Sequence, residues 1–144
     1  MSARLTIVFA AAFVLCVGPA AIEVSKAAPA PALDYNFFKT RVQPIFLEKR
    51  EGHERCANCH AGANNALHLA PLAPGATTWN EEETRNNFAA VSALVNPTDP
   101  ANSRLLIHPL APEEGGDLFH SGGRQFASKN DPDWKTLAAF AGVK

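Results

Sequence analysis

The sequence predicts an all-α protein, and three observations support that prediction. Apolar residues recur every three or four positions in several segments, which is the periodicity of an amphipathic helix. Good N-cap residues stand directly before those segments. No segment of useful length alternates between apolar and polar residues, so no strand is predicted. The 144 residues and formal net charge of -1 fit one modest domain, and nothing in the charge pattern favours nucleic-acid binding.

The first predicted helix begins after Asp34, a favourable N-cap residue. Pro44 should kink or restart this helix, because its ring conflicts with the preceding turn. The apolar positions at helical spacing are Phe37, Phe38, Val42, Ile45 and Phe46.

A second helix begins near residues 78–81, where Thr78 and Glu81 fit a capping box and Asn80 is a competing cap. Pro97 ends it, because the residue before a proline disfavours the helical conformation. Its buried stripe is expected to comprise Phe88, Val91, Leu94 and Val95.

Two further helices are predicted towards the end of the chain. Residues 103–107 form a short helical segment before Pro109. The last helix begins with Asp131 as cap and Pro132 at its first position, and Gly142 ends it. Residues 62–76 and 109–123 are rich in proline and glycine and are predicted to be loops.

The N-terminus has the pattern of a secretory signal peptide over residues 1–28. Arg4 supplies a positive charge, residues 5–15 form an apolar core, and small residues follow. An uncleaved anchor stays open, because residues 5–22 are apolar apart from Thr6 and nearly long enough to cross a bilayer. We expect export to the periplasm or another extracytoplasmic compartment, with membrane association if the segment is retained. Residues 29–33 are then an Ala/Pro tether, and residues 34–144 form the domain.

The most specific motif is Cys56-Ala57-Asn58-Cys59-His60, because C-x-x-C-H is the attachment pattern of a c-type haem. Cys56 and Cys59 lie on one side of a helical turn and can form thioethers with the two haem vinyl groups. His60 can then bind the iron as proximal ligand. A thioredoxin-like pair would follow an apolar strand, and a structural zinc site wants four ligands. The charged residues before the motif and the lack of later cysteines disfavour both.

The ligand on the opposite side of the iron is not methionine, because the only methionine is the initiator. His53 and His68 are close to the motif in sequence and are expected to be exposed to solvent. His120 is preferred as distal ligand, because the glycines after it allow close approach of the backbone. His108 is the second choice, although it could instead cap the carbonyls of the preceding helical segment.

Residues from about 37 to the C-terminus resemble class I-type cytochromes c, particularly the small domains common in planctomycete and acidobacterial proteins. The resemblance implies a small fold wrapped around one covalently attached haem, with the first and last helices crossing near it. Many such domains supply a distal methionine after a Ser-x-Leu-Leu segment, and a variant with His followed by glycines resembles residues 120–123. The matching residues are Phe38, the Val42–Phe46 segment, Cys56–His60, Asn96-Pro97, Ser103–Leu106 and Asp133–Leu137.

The leading functional hypothesis is an electron carrier with bis-histidine ligation and a lower potential than His/Met cytochromes. It would have protein donors and acceptors and no substrate of its own. A haem-based gas sensor or peroxide-reactive protein with an open distal site is one alternative, and a docking subunit of a larger redox complex is another. Arg104 and Arg124 could pair with haem propionates, although solvation at the surface is the expected role of each. We also expect poor folding without haem, since the domain is small.

Overall fold

The computed structural model describes residues 32–62 and 64–144. Within these ranges the protein is helical without a strand, and its β-type pairings are two isolated bridges, Ala61 with Leu69 and Leu110 with Phe126. The predicted all-α class is therefore confirmed. The predicted signal peptide and most of the predicted tether lie outside the described residues, while Leu33 packs against the core. None of the described helices is long and apolar enough to cross a bilayer.

The N-terminal helix consists of three consecutive segments: Tyr35–Phe37, a π-helical turn Phe38–Val42, and Gln43–Leu47. Asp34 caps it, and its carboxylate accepts a hydrogen bond from the N–H of Phe37 at 3.0 Å. In a regular helix the ring of Pro44 would collide with the carbonyl four residues earlier. The wider turn avoids this collision, and the N–H of Gln43 bonds to the carbonyl of Phe38. The predicted interruption at Pro44 is thus confirmed.

The central helix spans Glu81–Ser92 and begins with a capping box built on Asn80. The Asn80 side chain accepts from the N–H of Glu83 at 2.9 Å, and the Glu83 carboxylate accepts from the N–H of Asn80 at 2.8 Å. Of the two candidate caps, Asn80 is therefore correct and Thr78 is wrong. Both candidates have a glutamate three residues later, but the Glu83 side chain bonds back to Asn80, whereas the Glu81 side chain bonds Tyr35 and Lys39.

The central helix ends earlier than predicted, at Ser92, with Ala93 as its C-cap. Leu94 and Val95 consequently lie beyond the helix and are half-buried. Its buried face contains Val91, as expected, together with two polar residues that the apolar pattern did not reveal, Thr84 and Asn87.

The remaining helices are short, apart from the last. The attachment helix spans Cys56–His60, and the short helix Arg104–Ile107 follows the central one. The C-terminal helix spans Pro132–Ala141, with the predicted Asp131 and Gly142 as its caps. Single 3₁₀ turns lie at Pro100–Asn102 and Pro112–Glu114.

Three phenylalanines join the N-terminal, central and C-terminal helices. The ring of Phe38 lies 5.8 Å from that of Phe140 and 5.4 Å from that of Phe88, measured between centroids. Phe88 and Phe140 are themselves 6.2 Å apart. Burial of a side chain such as Phe38 or Phe140 stabilises the fold by about 2 kcal/mol. The expected packing of the first helix against the last is confirmed. Among the predicted aromatic core residues, Phe37 and Phe88 are only half-buried.

Candidate functional site

The attachment helix places both cysteines and His60 beside one cleft. Cys56 and Cys59 are one helical turn apart, so their side chains lie on the same side of the helix. Both are free thiols. Cys56 is partly buried, and burial raises the pKa of its thiol, whereas Cys59 is exposed. Unpaired thiols at this spacing are available for covalent attachment of a ligand in the cleft.

The imidazole of His60 is held by the loop that follows it. Its Nδ1 lies 2.9 Å from the carbonyl oxygen of Leu67 and 3.0 Å from Oδ1 of Asn65. A carbonyl oxygen can only accept, so Nδ1 must carry the proton. The neutral ring in this position has its lone pair on Nε2, which is the form of imidazole that binds a metal ion.

The loop is in turn anchored to the central helix. The N–H of Leu69 donates to the carbonyl of His60 at 3.0 Å, and the Leu69 side chain is fully buried. At the next residue, the N–H of Ala70 donates to Oδ1 of Asn87 at 2.7 Å. Nε1 of Trp79 donates to the carbonyl of Ala70, also at 2.7 Å. These bonds hold the loop so that the carbonyl oxygen of Leu67 stays within hydrogen-bond distance of Nδ1 of His60.

His120 approaches the same cleft from the loop after the short helix. Its Nδ1 donates to the carbonyl oxygen of Gly123 at 2.5 Å, which again leaves the lone pair on Nε2. Burial lowers the pKa of His120, as do the nearby rings of His108 and His60, and the bond to Gly123 offsets only part of this. The ring is therefore kept neutral at neutral pH.

Two imidazole rings lie close to the glycines that follow His120. A Cβ on Gly122 would lie 3.2 Å from Cε1 of His120. Gly123 has φ of +80°, and a Cβ there would lie 3.2 Å from Nδ1 of His53. Both glycines thus admit imidazole rings, rather than only providing general flexibility to the loop.

The rings of His60 and His120 lie 6.1 Å apart between centroids and are nearly parallel, with planes 14° apart. Two imidazoles that bind one metal ion from opposite sides, each at about 2 Å, place their ring centres about 6 Å apart. The separation of the His60 and His120 rings is compatible with such an arrangement. No group of three or more His, Cys, Asp or Glu side chains is placed to bind an ion within residues 32–62 and 64–144.

His108 lies next to this pair in a different setting. Its Nδ1 is 2.7 Å from Oδ2 of Asp117, and its ring packs edge-on against His120 at 4.9 Å. The backbone of His108 forms the C-cap of the short helix, but its side chain bonds Asp117 rather than a helix carbonyl. Asp117 was not identified from the sequence.

Four further residues were assigned to the surface from the sequence. His68 and Arg104 are exposed, and Arg124 is exposed and paired with Glu113 at 3.2 Å. His53 is half-buried and therefore less exposed than predicted. Its ring lies beside Gly123, a residue distant in the chain whose proximity sequence spacing does not indicate.

The cleft between these loops is mainly apolar. Its cavity volume is about 180 Å³, which is below the range of about 300–1,000 Å³ that is common for ligand sites. Cys56, Cys59, His60, His108 and His120 all contribute to its lining, and Arg104 lies at its edge. The apolar part of the lining comes from Phe46, Leu67, Leu94, Leu105, Phe126 and Leu137.

Sequence reasoning missed the side chains that orient the histidines. Asn65 bonds His60, Asp117 bonds His108, and Gln125 braces the loop of His120 by donating to the carbonyl of Gly122 at 3.0 Å. Gln125 is buried in the cleft lining, and its Oε1 has no hydrogen-bond partner among the described residues. No spacing rule points to these residues, because each contact depends on how a loop folds.

Comparisons of this chain with protein-family models, curated proteins and solved structures found no match.

Proposed function

We propose that this protein is an exported monohaem c-type cytochrome that carries electrons between protein partners. One observation carries the proposal: His60 and His120 stand nearly parallel at 6.1 Å beside two free cysteines in C-x-x-C-H spacing. The resemblance of residues 37–144 to class I-type cytochromes c supports the same function. Haem, when bound, supplies one-electron chemistry at its iron.

The chain's own residues hold and enclose the group in this proposal. Cys56 and Cys59 would hold the haem through two thioethers, and His60 and His120 would each offer Nε2 as a ligand to its iron. Because each Nδ1 is held by a backbone carbonyl, neither ring has to rotate when the oxidation state changes. Little reorganisation favours outer-sphere electron transfer through an exposed edge, and no substrate of the protein's own is required.

His120 is proposed as the distal ligand in preference to His108. Its ring is the one that lies nearly parallel to His60. His108 meets His120 edge-on and is bonded to the Asp117 carboxylate, so it is placed to orient or shield the ligand. Two histidine ligands should give a lower potential than His/Met ligation.

The test is the visible and EPR spectrum of the matured holoprotein beside His120→Ala and His108→Ala. We expect low-spin haem in the parent, high-spin haem in His120→Ala, and low-spin haem in His108→Ala. The reverse result for the two variants would move the ligand to His108. A high-spin parent that rapidly binds CO would overturn the electron carrier in favour of the sensor or peroxide-reactive alternative. Absence of covalent haem from protein matured in a host that attaches it would overturn the proposal altogether.

Export is a separate part of the proposal and has its own measurement. Determination of the N-terminus of the mature protein should place cleavage near residues 25–30. An intact N-terminus with the protein in the membrane fraction would favour the anchored alternative, and reproducible copurification with other redox proteins would favour a docking subunit.

A further inference from the structure

We propose that Asn65 is a positioning residue that sets the hydrogen-bonded state of His60 and thereby lowers the reduction potential of the centre. This inference rests on the proposed function. It concerns the chain's own residues on the side of His60 that faces away from the ligand position. Nδ1 of His60 lies between two oxygen acceptors, one from the backbone and one from this side chain.

The orientation of the Asn65 amide follows from its neighbour. The carbonyl of Leu67, at 2.9 Å, requires a proton on Nδ1 of His60. Of the two polar atoms in the Asn65 amide, only the oxygen can accept a hydrogen bond from this N–H, so it is the oxygen that lies 3.0 Å from Nδ1. The assignment of Oδ1 rather than Nδ2 to this contact is therefore determined chemically, and the single proton is shared between two acceptors.

The two acceptors are supported independently. The carbonyl of Leu67 is held by the bond from Leu69 to His60 and by the burial of Leu69. Asn65 is exposed and contributes only its side chain. Substitution of Asn65 should therefore leave Leu67 in place and remove one of two acceptors. The effect of the substitution on His60 can therefore be distinguished from an effect on the fold.

A second acceptor on Nδ1 gives the His60 ring more anionic character, which makes Nε2 a stronger electron-pair donor to the iron. Stronger electron-pair donation stabilises oxidised iron relative to reduced iron, so the reduction potential falls. Asn65→Leu, which retains the approximate size and removes the acceptor, should shift the midpoint potential upward. Asn65→Asp replaces a neutral acceptor with an anionic one and should shift the potential downward.

The experiment is potentiometry of the holoprotein for the parent, Asn65→Leu, Asn65→Asp and the matched control Asn64→Leu. Asn64 is also exposed and lies next to Asn65, and its substitution should leave the potential unchanged. Opposite shifts from the two Asn65 variants are expected, because a merely structural role would shift both in the same direction. Equal potentials for the parent and both variants, or shifts of one sign, would overturn the inference.

Nitrogen-15 NMR of the histidine rings supplies a second readout that does not depend on electron transfer. We expect the Nδ1–H tautomer of His60 in the parent and a changed Nδ1–H shift in Asn65→Leu. A His60 signal with the proton on Nε2 would overturn the inference. If no haem is attached, the proposed function fails, but the tautomer and its response to Asn65→Leu still test the role of Asn65.

Discussion

Single residues in this protein act mainly by orienting imidazole rings. His60 and His120 each have Nδ1 bonded to a backbone carbonyl, and His108 has it bonded to a carboxylate. In each case the acceptor selects the tautomer, so a neutral ring presents the lone pair of Nε2. These contacts therefore determine which ring nitrogen of each histidine has the free lone pair.

Gly123 provides a prediction at this scale. Its φ of +80° is in the left-handed region, and a Cβ would lie 3.2 Å from Nδ1 of His53. We expect Gly123→Ala to lower the unfolding free energy of the holoprotein by about 1 kcal/mol from backbone strain. It should also displace the loop that carries His120, seen as a high-spin fraction in the visible spectrum.

Gly75 supplies the matched control for that substitution. It has a similar φ of +77°, but a Cβ there would have no atom within 4 Å. Gly75→Ala should show the same loss of stability without any change in spin state. Identical spectra for both variants would contradict the role of Gly123 in placing His120.

At the scale of elements, caps and prolines decide where each helix begins and how it continues. Pro44 widens a turn of the N-terminal helix, and Asp34 and Asp131 cap the first and last helices. These features act within a few residues of the chain, which is why local sequence signals located them.

The cap of the central helix gives a prediction at this scale. Asn80 and Glu83 bond each other's backbone N–H groups. Removal of the side-chain cap in Asn80→Ala should lower the unfolding free energy by about 1 kcal/mol, measured by urea denaturation of the holoprotein. Thr78→Ala is the control, because Thr78 is exposed and makes no cap, and it should be within about 0.5 kcal/mol of the parent. Equal losses from the two substitutions would contradict the assigned cap.

For the whole molecule, one ion-pair cluster ties the loop before the attachment helix to the C-terminal helix. Arg50 bonds Asp131 at 3.0 Å and also pairs with Asp133. Its guanidinium lies 4.5 Å from the centre of the Phe126 ring. Burial alone would raise the pKa of Asp131, but the hydrogen bonds from Arg50 and from the N–H groups of Asp133 and Trp134 lower it below its ordinary value.

The lowered pKa of Asp131 predicts a pH dependence of stability. A carboxyl group whose pKa is lower in the folded state stabilises the fold above its unfolded pKa, and this contribution is lost as the pH falls through the folded value. Asp131→Asn keeps an N-cap but loses the charge, so we expect about 1 kcal/mol less stability at pH 7 after allowance for solvent screening. The difference between parent and variant should disappear as the pH falls below about 4.

Glu113→Gln is the control for this measurement, because Glu113 and its ion-pair partner Arg124 are both exposed side chains. It should change the unfolding free energy little at any pH. A difference between the parent and Asp131→Asn that persists unchanged at pH 3 would contradict the charge-based explanation.

The sequence by itself determined the class of the fold and the residues most specific to the proposed chemistry. Helical periodicity, Asp34, Pro44 and Asp131 act over one or two turns, so their effects could be inferred without the tertiary structure. The C-x-x-C-H motif is equally local, and its two cysteines and histidine need only one helical turn to lie together. The choice of Asn80 over Thr78 and the early end of the central helix were not settled by these signals.

Only the tertiary structure decided how the histidines relate to one another. His60 and His120 are separated by 60 positions, and their 6.1 Å separation arises because the chain places the loop that carries His120 beside the helix that carries His60. The contacts of Asn65 and Asp117, and the proximity of His53 to Gly123, depend on loop conformations. A local pattern cannot specify such contacts, because they arise from the packing of segments that are distant in sequence and have no periodicity of their own.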